Sequence, residues 1–119
     1  MKKSTFYIHM SCGNFVCVDG FDYSNNYGLD LGLHYGDMPY GYKEDYKVWR
    51  KYVSGKRWII SDKRSGNAIS IGRTKKEAIS NVTSMIDCIG GVGELMKLAN
   101  KSIEEYGIAP NFDSKYQIE

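Results

Sequence analysis

Three residues that could bind a metal ion lie within nine positions near the start of the chain. His9, Cys12 and Cys17 surround one Gly-Asn pair, and structural zinc is held by four thiolate or imidazole ligands in a tetrahedron. His34 could be the fourth ligand, with Cys88 as a substitute for one of the four. We therefore predict a structural zinc site. The alternative is that these side chains have ordinary core, turn and surface roles, because the spacing lacks the Cys-x-x-Cys pair of specific zinc sites.

Motifs for catalysis are scarce in this sequence. It contains no phosphate-binding loop, nucleophile elbow, dinucleotide fingerprint or paired-histidine metalloprotease motif. Cys17 with His34 has the residue types of a nucleophile and its base, but no local spacing supports that pair. We therefore expect a protein that binds a partner and is not an enzyme.

The stretch from residue 19 to residue 46 has the composition of a binding loop. It holds five glycines and six of the ten tyrosines, together with asparagines and aspartates. Tyrosine supplies a large amphipathic contact area with few rotatable bonds, while Gly and Asn let a loop adapt. We predict that Tyr35, Tyr40 and Tyr42 contact a partner. The alternative is a loop that packs on the protein through its own aromatic rings.

A strongly basic strip follows, from residue 47 to residue 76. It carries ten basic side chains and only one acidic side chain, a net charge of +9, whereas residues 1–46 carry −3 and residues 77–119 carry −4. Such a strip can attract a polyanion or an acidic protein surface. The alternative is ordinary solvation of strand faces by Lys and Arg. The partner-binding residues predicted here are Trp49, Arg50, Lys51, Arg57, Lys63 and Arg64.

Strand signals precede helix signals along the chain. Residues 6–10 and 15–18 are β-prone and flank a turn at 11–14. With that turn, Met10 lies opposite Phe15 and Ile8 opposite Cys17, so that His9 and Cys17 fall on opposite faces of the hairpin. Further strands are predicted over residues 29–33, 46–53, 57–61 and 68–71.

Two helices are predicted in the last third of the chain. Thr74 and Glu77 form a capping box, and an apolar stripe at helical spacing continues to Gly90. A second stripe runs from about residue 92 to residue 106 and stops at Gly107. We predict an α+β fold, an antiparallel sheet of about five strands with two C-terminal helices packed on one face.

Length and composition limit the remaining possibilities. The 119 residues suffice for one core, so we predict a single domain over residues 1–119. No apolar run approaches the roughly 18 residues of a membrane-spanning helix, and we expect no membrane association. The first residues lack the apolar core of an export signal. We therefore expect a cytoplasmic protein with three reduced cysteines.

The segment from Trp58 to Ile79, WIISDKRSGNAISIGRTKKEAI, resembles the strand–turn–strand–helix unit of small prophage proteins in low-GC Gram-positive bacteria. The Lys, Asn, Ile and Tyr bias of the whole chain is similar to theirs. Such proteins include anti-CRISPR inhibitors of type II effector nucleases. The resemblance implies a compact phage-encoded protein that binds this host defence protein or its guide complex and blocks its use of DNA, in some cases with a structural zinc. It covers 22 of 119 residues and assigns no functional residue by position.

The basic strip leaves a second function open. A small nucleic-acid-binding protein could use the same residues 47–76, with tyrosines stacking on bases. Mimicry of DNA is disfavoured, because a mimic needs an acidic surface and this strip carries +9.

Overall fold

The protein folds as a five-stranded antiparallel sheet with two helices, which confirms the predicted α+β class. The structure is a computed structural model that describes residues 1–10, 14–36 and 56–110. Within these ranges the strands are adjacent in the order in which they occur in the chain. None of the helices there has the length and apolar content needed to cross a membrane. The elements are β1 (Lys3–His9), β2 (Phe15–Tyr23), β3 (Leu31–Gly36), β4 (Arg57–Asp62), β5 (Ala68–Gly72), α1 (Lys75–Ile89) and α2 (Val92–Tyr106).

Helix α1 begins and ends where the sequence predicts. The Thr74 side chain accepts a hydrogen bond from the Glu77 N–H at 3.1 Å, and the N–H of Gly90 donates to the Ile86 carbonyl at the other end. The apolar stripes of both helices pack on one sheet face, which we call the helix face. The main core there comprises Leu31, Leu33, Ile60, Ile69, Ala78, Val82, Ile86, Ile89 and Leu95. Each large side chain buried in this way contributes about 1.5–3 kcal/mol.

The predicted pairing of the first hairpin is wrong by one residue. His9, rather than Met10, lies opposite Phe15, and Tyr7 lies opposite Cys17. The cause is that the pairing continues to Asn14, whose carbonyl accepts the Met10 N–H at 2.8 Å. Because side chains alternate between the two faces of a sheet, a slip of one residue exchanges the faces. His9 and Cys17 therefore lie on the same face of the hairpin, not on opposite ones.

The sheet is curled, and its first strand meets the turn between β4 and β5. The His9 N–H donates to the Gly66 carbonyl at 2.8 Å. His9 belongs to β1 and Gly66 lies just before β5, and these two strands are at opposite ends of the sheet order. A Cβ on Gly66 would lie 2.8 Å from the His9 nitrogen, so the turn approaches β1 too closely for any side chain. The contact joins the two ends of the sheet.

The opposite face of the sheet, which we call the inner face, holds a second set of buried residues. Phe6, His34 and Ile59 lie there, each at most 1% exposed. The Phe6 ring reaches from β1 to β3, where a Cβ on Gly32 would lie 2.6 Å from the ring. Phe6 therefore fills the space left by the missing Gly32 side chain.

Within residues 19–36, the described part of the predicted tyrosine-rich loop, most residues are in strands. Residues 19–23 belong to β2 and residues 31–36 to β3, whereas the predicted strand covered only 29–33. Gly20 interrupts the apolar alternation of β2 at an inner-face position, where the Phe6 ring packs against it. Between the strands, the Tyr27 hydroxyl is hydrogen-bonded to Thr83 Oγ1 at 2.6 Å, which fixes this connection to α1.

Candidate binding surface

Three aromatic side chains and one lysine meet at one end of the helix face. Tyr35 and Trp58 are paired across β3 and β4, with ring centroids 5.3 Å apart and planes tilted by 52°. The Lys75 Nζ lies 4.7 Å from the centroid of the Phe21 ring and 4.9 Å from that of Trp58. We call these four residues, Phe21, Tyr35, Trp58 and Lys75, the aromatic–basic patch.

The position of α1 explains why this end of the helix face is accessible. The helix begins at Lys75, just after β5 ends at Gly72, which is the residue opposite Trp58. One part of Trp58 packs against the main core, which holds its ring in place. Tyr35 is 54% exposed, and Phe21 and Trp58 are half-buried. Grouped aromatic side chains on a surface mark an interaction site more strongly than scattered ones do.

The surroundings of the patch are positively charged. Lys3 is the residue opposite Phe21, and Arg73 and Lys76 flank the start of α1. The one acidic side chain between residues 73 and 77, Glu77, has its Oε1 3.3 Å from the Arg73 N–H, which donates to it. The basic rim of the patch consists of the exposed residues Lys3, Lys56, Arg73 and Lys76.

The structure divides the predicted partner-binding residues into separate groups. Tyr35 lies in the patch, and the half-buried Arg57 lies next to it in the chain, with its Nη1 donating to the Lys56 carbonyl at 2.8 Å. Lys63 and Arg64 lie in the β4–β5 turn, at the opposite end of β4, where Arg64 donates to Asn100 Oδ1 at 2.8 Å. The remaining members of that prediction lie outside the described residues: Tyr40, Tyr42, Trp49, Arg50 and Lys51.

Lys63 makes its main contact within the chain. Its Nζ lies 2.6 Å from Asp22 Oδ1, with the lysine side chain only 12% exposed. This hydrogen bond holds the pKa of the Asp22 carboxyl below its usual value, so the pair stabilises the fold at neutral pH and that contribution is lost as acid protonates Asp22. The pair joins β2 to the β4–β5 turn.

The Lys63→Met variant should therefore be less stable without a change at the patch. We expect its unfolding free energy to fall by about 1 kcal/mol, since one partner of the pair remains partly solvated. Urea denaturation at pH 7 measures the change. Lys97→Met, which removes a lysine paired with Glu94 on the surface of α2, should cost less than about 0.5 kcal/mol. Equal losses in the two variants would contradict a structural role for Lys63.

The predicted zinc ligands do not come together among the described residues. His9 is buried on the helix-face side of β1, with Nδ1 hydrogen-bonded to Asn67 Oδ1 at 3.1 Å. Its ring stacks on Phe15, with centroids 5.0 Å apart. His34 lies on the inner face, whereas Cys17 and Cys88 are exposed. No group of three His, Cys, Asp or Glu side chains suited to a metal ion occurs in the described ranges. Cys12 lies outside them, and zinc binding stays a prediction.

His34 is buried without a polar partner among the described residues. Neither ring nitrogen has a hydrogen-bond partner there, and the ring meets Phe6 edge-on with centroids 5.9 Å apart. Burial lowers the pKa of His34 to about 4, because an apolar environment disfavours the charged imidazolium. Cys17 and His34 lie on opposite faces of the sheet, so the described geometry does not assemble them as a nucleophile and base.

Sequence reasoning missed two members of the patch. Phe21 was hidden in the stretch predicted as a loop, and Lys75 was counted in the basic strip without a specific role. The cross-strand pairing that brings β2, β3 and β4 together is the information that the sequence lacked. Comparison of the chain with protein-family models, with curated proteins and with solved structures found no match.

Proposed function

We propose that this protein is an inhibitor that binds a bacterial defence protein, a type II CRISPR effector nuclease or its guide complex, and sterically blocks its use of DNA. The observation that supports this function is the aromatic–basic patch, in which an exposed Tyr35 and a half-buried Trp58 are held by two paired strands. The class of partner comes from the resemblance of residues 58–79 to prophage proteins. Steric inhibition needs a binding surface and no catalytic group.

The patch has the properties of an energetically important contact. Tyr and Trp are enriched among interface residues whose truncation costs the most binding energy. Both rings lie on neighbouring strands, so little conformational entropy is lost when a partner orders them. The exposed rim of Lys and Arg attracts an acidic or phosphate-bearing surface and speeds its approach.

A cleavage assay tests the proposal. A type II effector nuclease from a low-GC Gram-positive bacterium, loaded with guide RNA, is mixed with the protein before linear target DNA is added. We expect wild-type protein to prevent cleavage and Tyr35→Ala to need at least about a tenfold higher concentration, which corresponds to 1.4 kcal/mol. Absence of inhibition across a panel of such nucleases would overturn the function.

The matched control is Val16→Ala, because Val16 is a 44% exposed apolar residue outside the patch. This variant should inhibit as wild type does. Equal inhibition by wild type and Tyr35→Ala would show that another surface makes the contact. Thermal unfolding of each variant confirms that differences do not come from a loss of folded protein.

A further inference from the structure

Two kinds of group that single-stranded nucleic acid requires occur together in the patch. A base offers a flat π-face, and stacking on an aromatic side chain contributes about 1–3 kcal/mol per base. Tyr35, Trp58 and Phe21 provide such rings on one sheet face. A phosphate requires cations. Lys75 lies over two of the rings, and the four residues of the basic rim are exposed and neighbour the patch along the chain or across a strand pair.

The position of Lys75 adds to this argument. Its ammonium lies over both the Phe21 and Trp58 rings, so in the free protein the attraction between cation and π-face occupies the stacking surface. Lys75 itself is exposed and has a long, flexible side chain. A base that stacks on these rings displaces the ammonium, which can then pair with the neighbouring phosphate.

Other occupants use the patch less completely. An acidic peptide satisfies the cations but leaves the aromatic faces without planar partners. A nucleic-acid duplex presents phosphates, but its bases are already stacked and paired, so that only a single strand offers both groups at once.

We infer that the aromatic–basic patch binds single-stranded nucleic acid, with bases on Tyr35 and Trp58 and phosphates on Lys75 and the basic rim. This inference rests on the proposed function, since it makes the guide RNA or an unpaired DNA strand of the nuclease complex the group that the inhibitor contacts.

Fluorescence anisotropy with labelled single strands tests the inference. The probes are twelve-nucleotide oligo(dT) and oligo(U), each measured at several salt concentrations, with a duplex of equal length for comparison. We expect single strands to bind more tightly than the duplex. The two probes distinguish DNA from RNA, and tighter binding of either one supports the inference.

Two variants separate stacking from charge. Tyr35→Ala should weaken single-strand binding about fivefold or more without changing the salt dependence. Lys75→Gln should weaken it and reduce the slope of log K against log salt by about 0.7, as expected for the loss of one phosphate contact. The control Lys97→Gln removes an exposed lysine on α2, far along the chain from the patch, and should change neither quantity.

Three outcomes would overturn the inference. These are no binding of either strand at low salt, equal affinity for the duplex, and unchanged affinity in Tyr35→Ala. A poly-glutamate peptide that competes fully with the oligonucleotides at equal charge would instead identify an acidic protein segment as the ligand. Inhibition of the nuclease without oligonucleotide binding refutes only this inference, whereas oligonucleotide binding without inhibition refutes the proposed function and leaves the patch as a nucleic-acid site.

Discussion

Between pH 6.5 and pH 4, we expect the unfolding free energy of the wild-type protein to fall by about 3 kcal/mol because of His34. The variant His34→Leu should not show this fall. His34 is buried against Phe6, and neither ring nitrogen has a hydrogen-bond partner within residues 1–10, 14–36 and 56–110. The folded protein therefore resists protonation of this ring, while the unfolded chain accepts a proton at the ordinary pKa of histidine.

The sign follows from proton uptake. Between the two pKa values the unfolded state binds more protons than the folded state, so acid favours unfolding. The contribution of neutral His34 is complete above pH 6.5 and is lost as the pH falls to about 4. Leucine has a similar volume and no titrating group, so the variant should be more stable than wild type at pH 4.5. Urea denaturation at half-unit pH steps gives both curves.

The pKa values of two aspartates are shifted as well, and their effects must be separated from that of His34. Burial raises the pKa of Asp62, so its effect has the opposite sign, since stability falls as the pH rises through that pKa. The Lys63 hydrogen bond lowers the pKa of Asp22, so its contribution is lost only at more acidic pH. Both effects persist in His34→Leu. The difference between the wild-type and His34→Leu curves of unfolding free energy against pH therefore gives the contribution of His34. Parallel curves would refute the assignment of the acid-dependent loss to His34.

The unfolding free energy of the variant Gly66→Ala should be lower than that of wild type by about 3 kcal/mol or more. Gly66 has φ +77°, a conformation that costs a residue with a side chain about 1–2 kcal/mol. The new Cβ would also lie 2.8 Å from the His9 nitrogen and 3.2 Å from the Tyr7 carbonyl oxygen. These are backbone atoms that cannot rotate away, so the hydrogen bond from His9 to Gly66 must lengthen.

Gly28→Ala is the matched control for this prediction. Gly28 has φ +74°, almost the same backbone conformation, but apart from its own chain neighbours no described residue has an atom within 4 Å of the position of a new Cβ. Its replacement should therefore cost only the conformational part, about 1 kcal/mol. Thermal or urea unfolding gives the loss of unfolding free energy in each variant. The difference between the two losses measures how much the contact between β1 and the β4–β5 turn contributes to stability. Equal losses would show that this contact contributes little.

The elements with local signals could be predicted from the sequence. Helix α1 has a capping pair, an apolar stripe and a terminal glycine, all within sixteen residues of one another, and each is where the sequence predicts. Strands β4 and β5 also follow from their apolar composition and the turn between them. These features depend on neighbours in the chain, which a sequence shows directly.

The pairing of strands depends on contacts that the sequence does not show. The hairpin register differs from prediction because the Met10–Asn14 bond adds one pair at the turn. Strand β3 begins and ends later than predicted, because residues 34–36 pair with residues 57–59 of β4. Both errors concern the point at which a pairing stops, and local composition does not indicate it.

The kinds of residue on the candidate surface could be predicted from the sequence, but not which individual residues lie there. Aromatic and basic residues were expected to contact a partner, and Tyr35 is in the patch. Lys63 was also expected to contact a partner, and this stays a prediction; its ammonium lies at the other end of β4, where it binds Asp22. Whether a lysine faces solvent or a carboxylate is decided by the sheet order, and no spacing within the basic strip indicates it.

The contact between β1 and the β4–β5 turn also sets an order of events during synthesis. His9 and Asn67 are hydrogen-bonded although 58 residues separate them, so the N-terminal hairpin leaves the ribosome long before the turn that completes its surroundings. Phe6 exposes apolar surface until β3, the strand on which its ring packs, has followed it. Closing such a long loop is entropically costly and slow compared with forming a helix. The surroundings of β1 are therefore complete only after both β3 and the β4–β5 turn have been made.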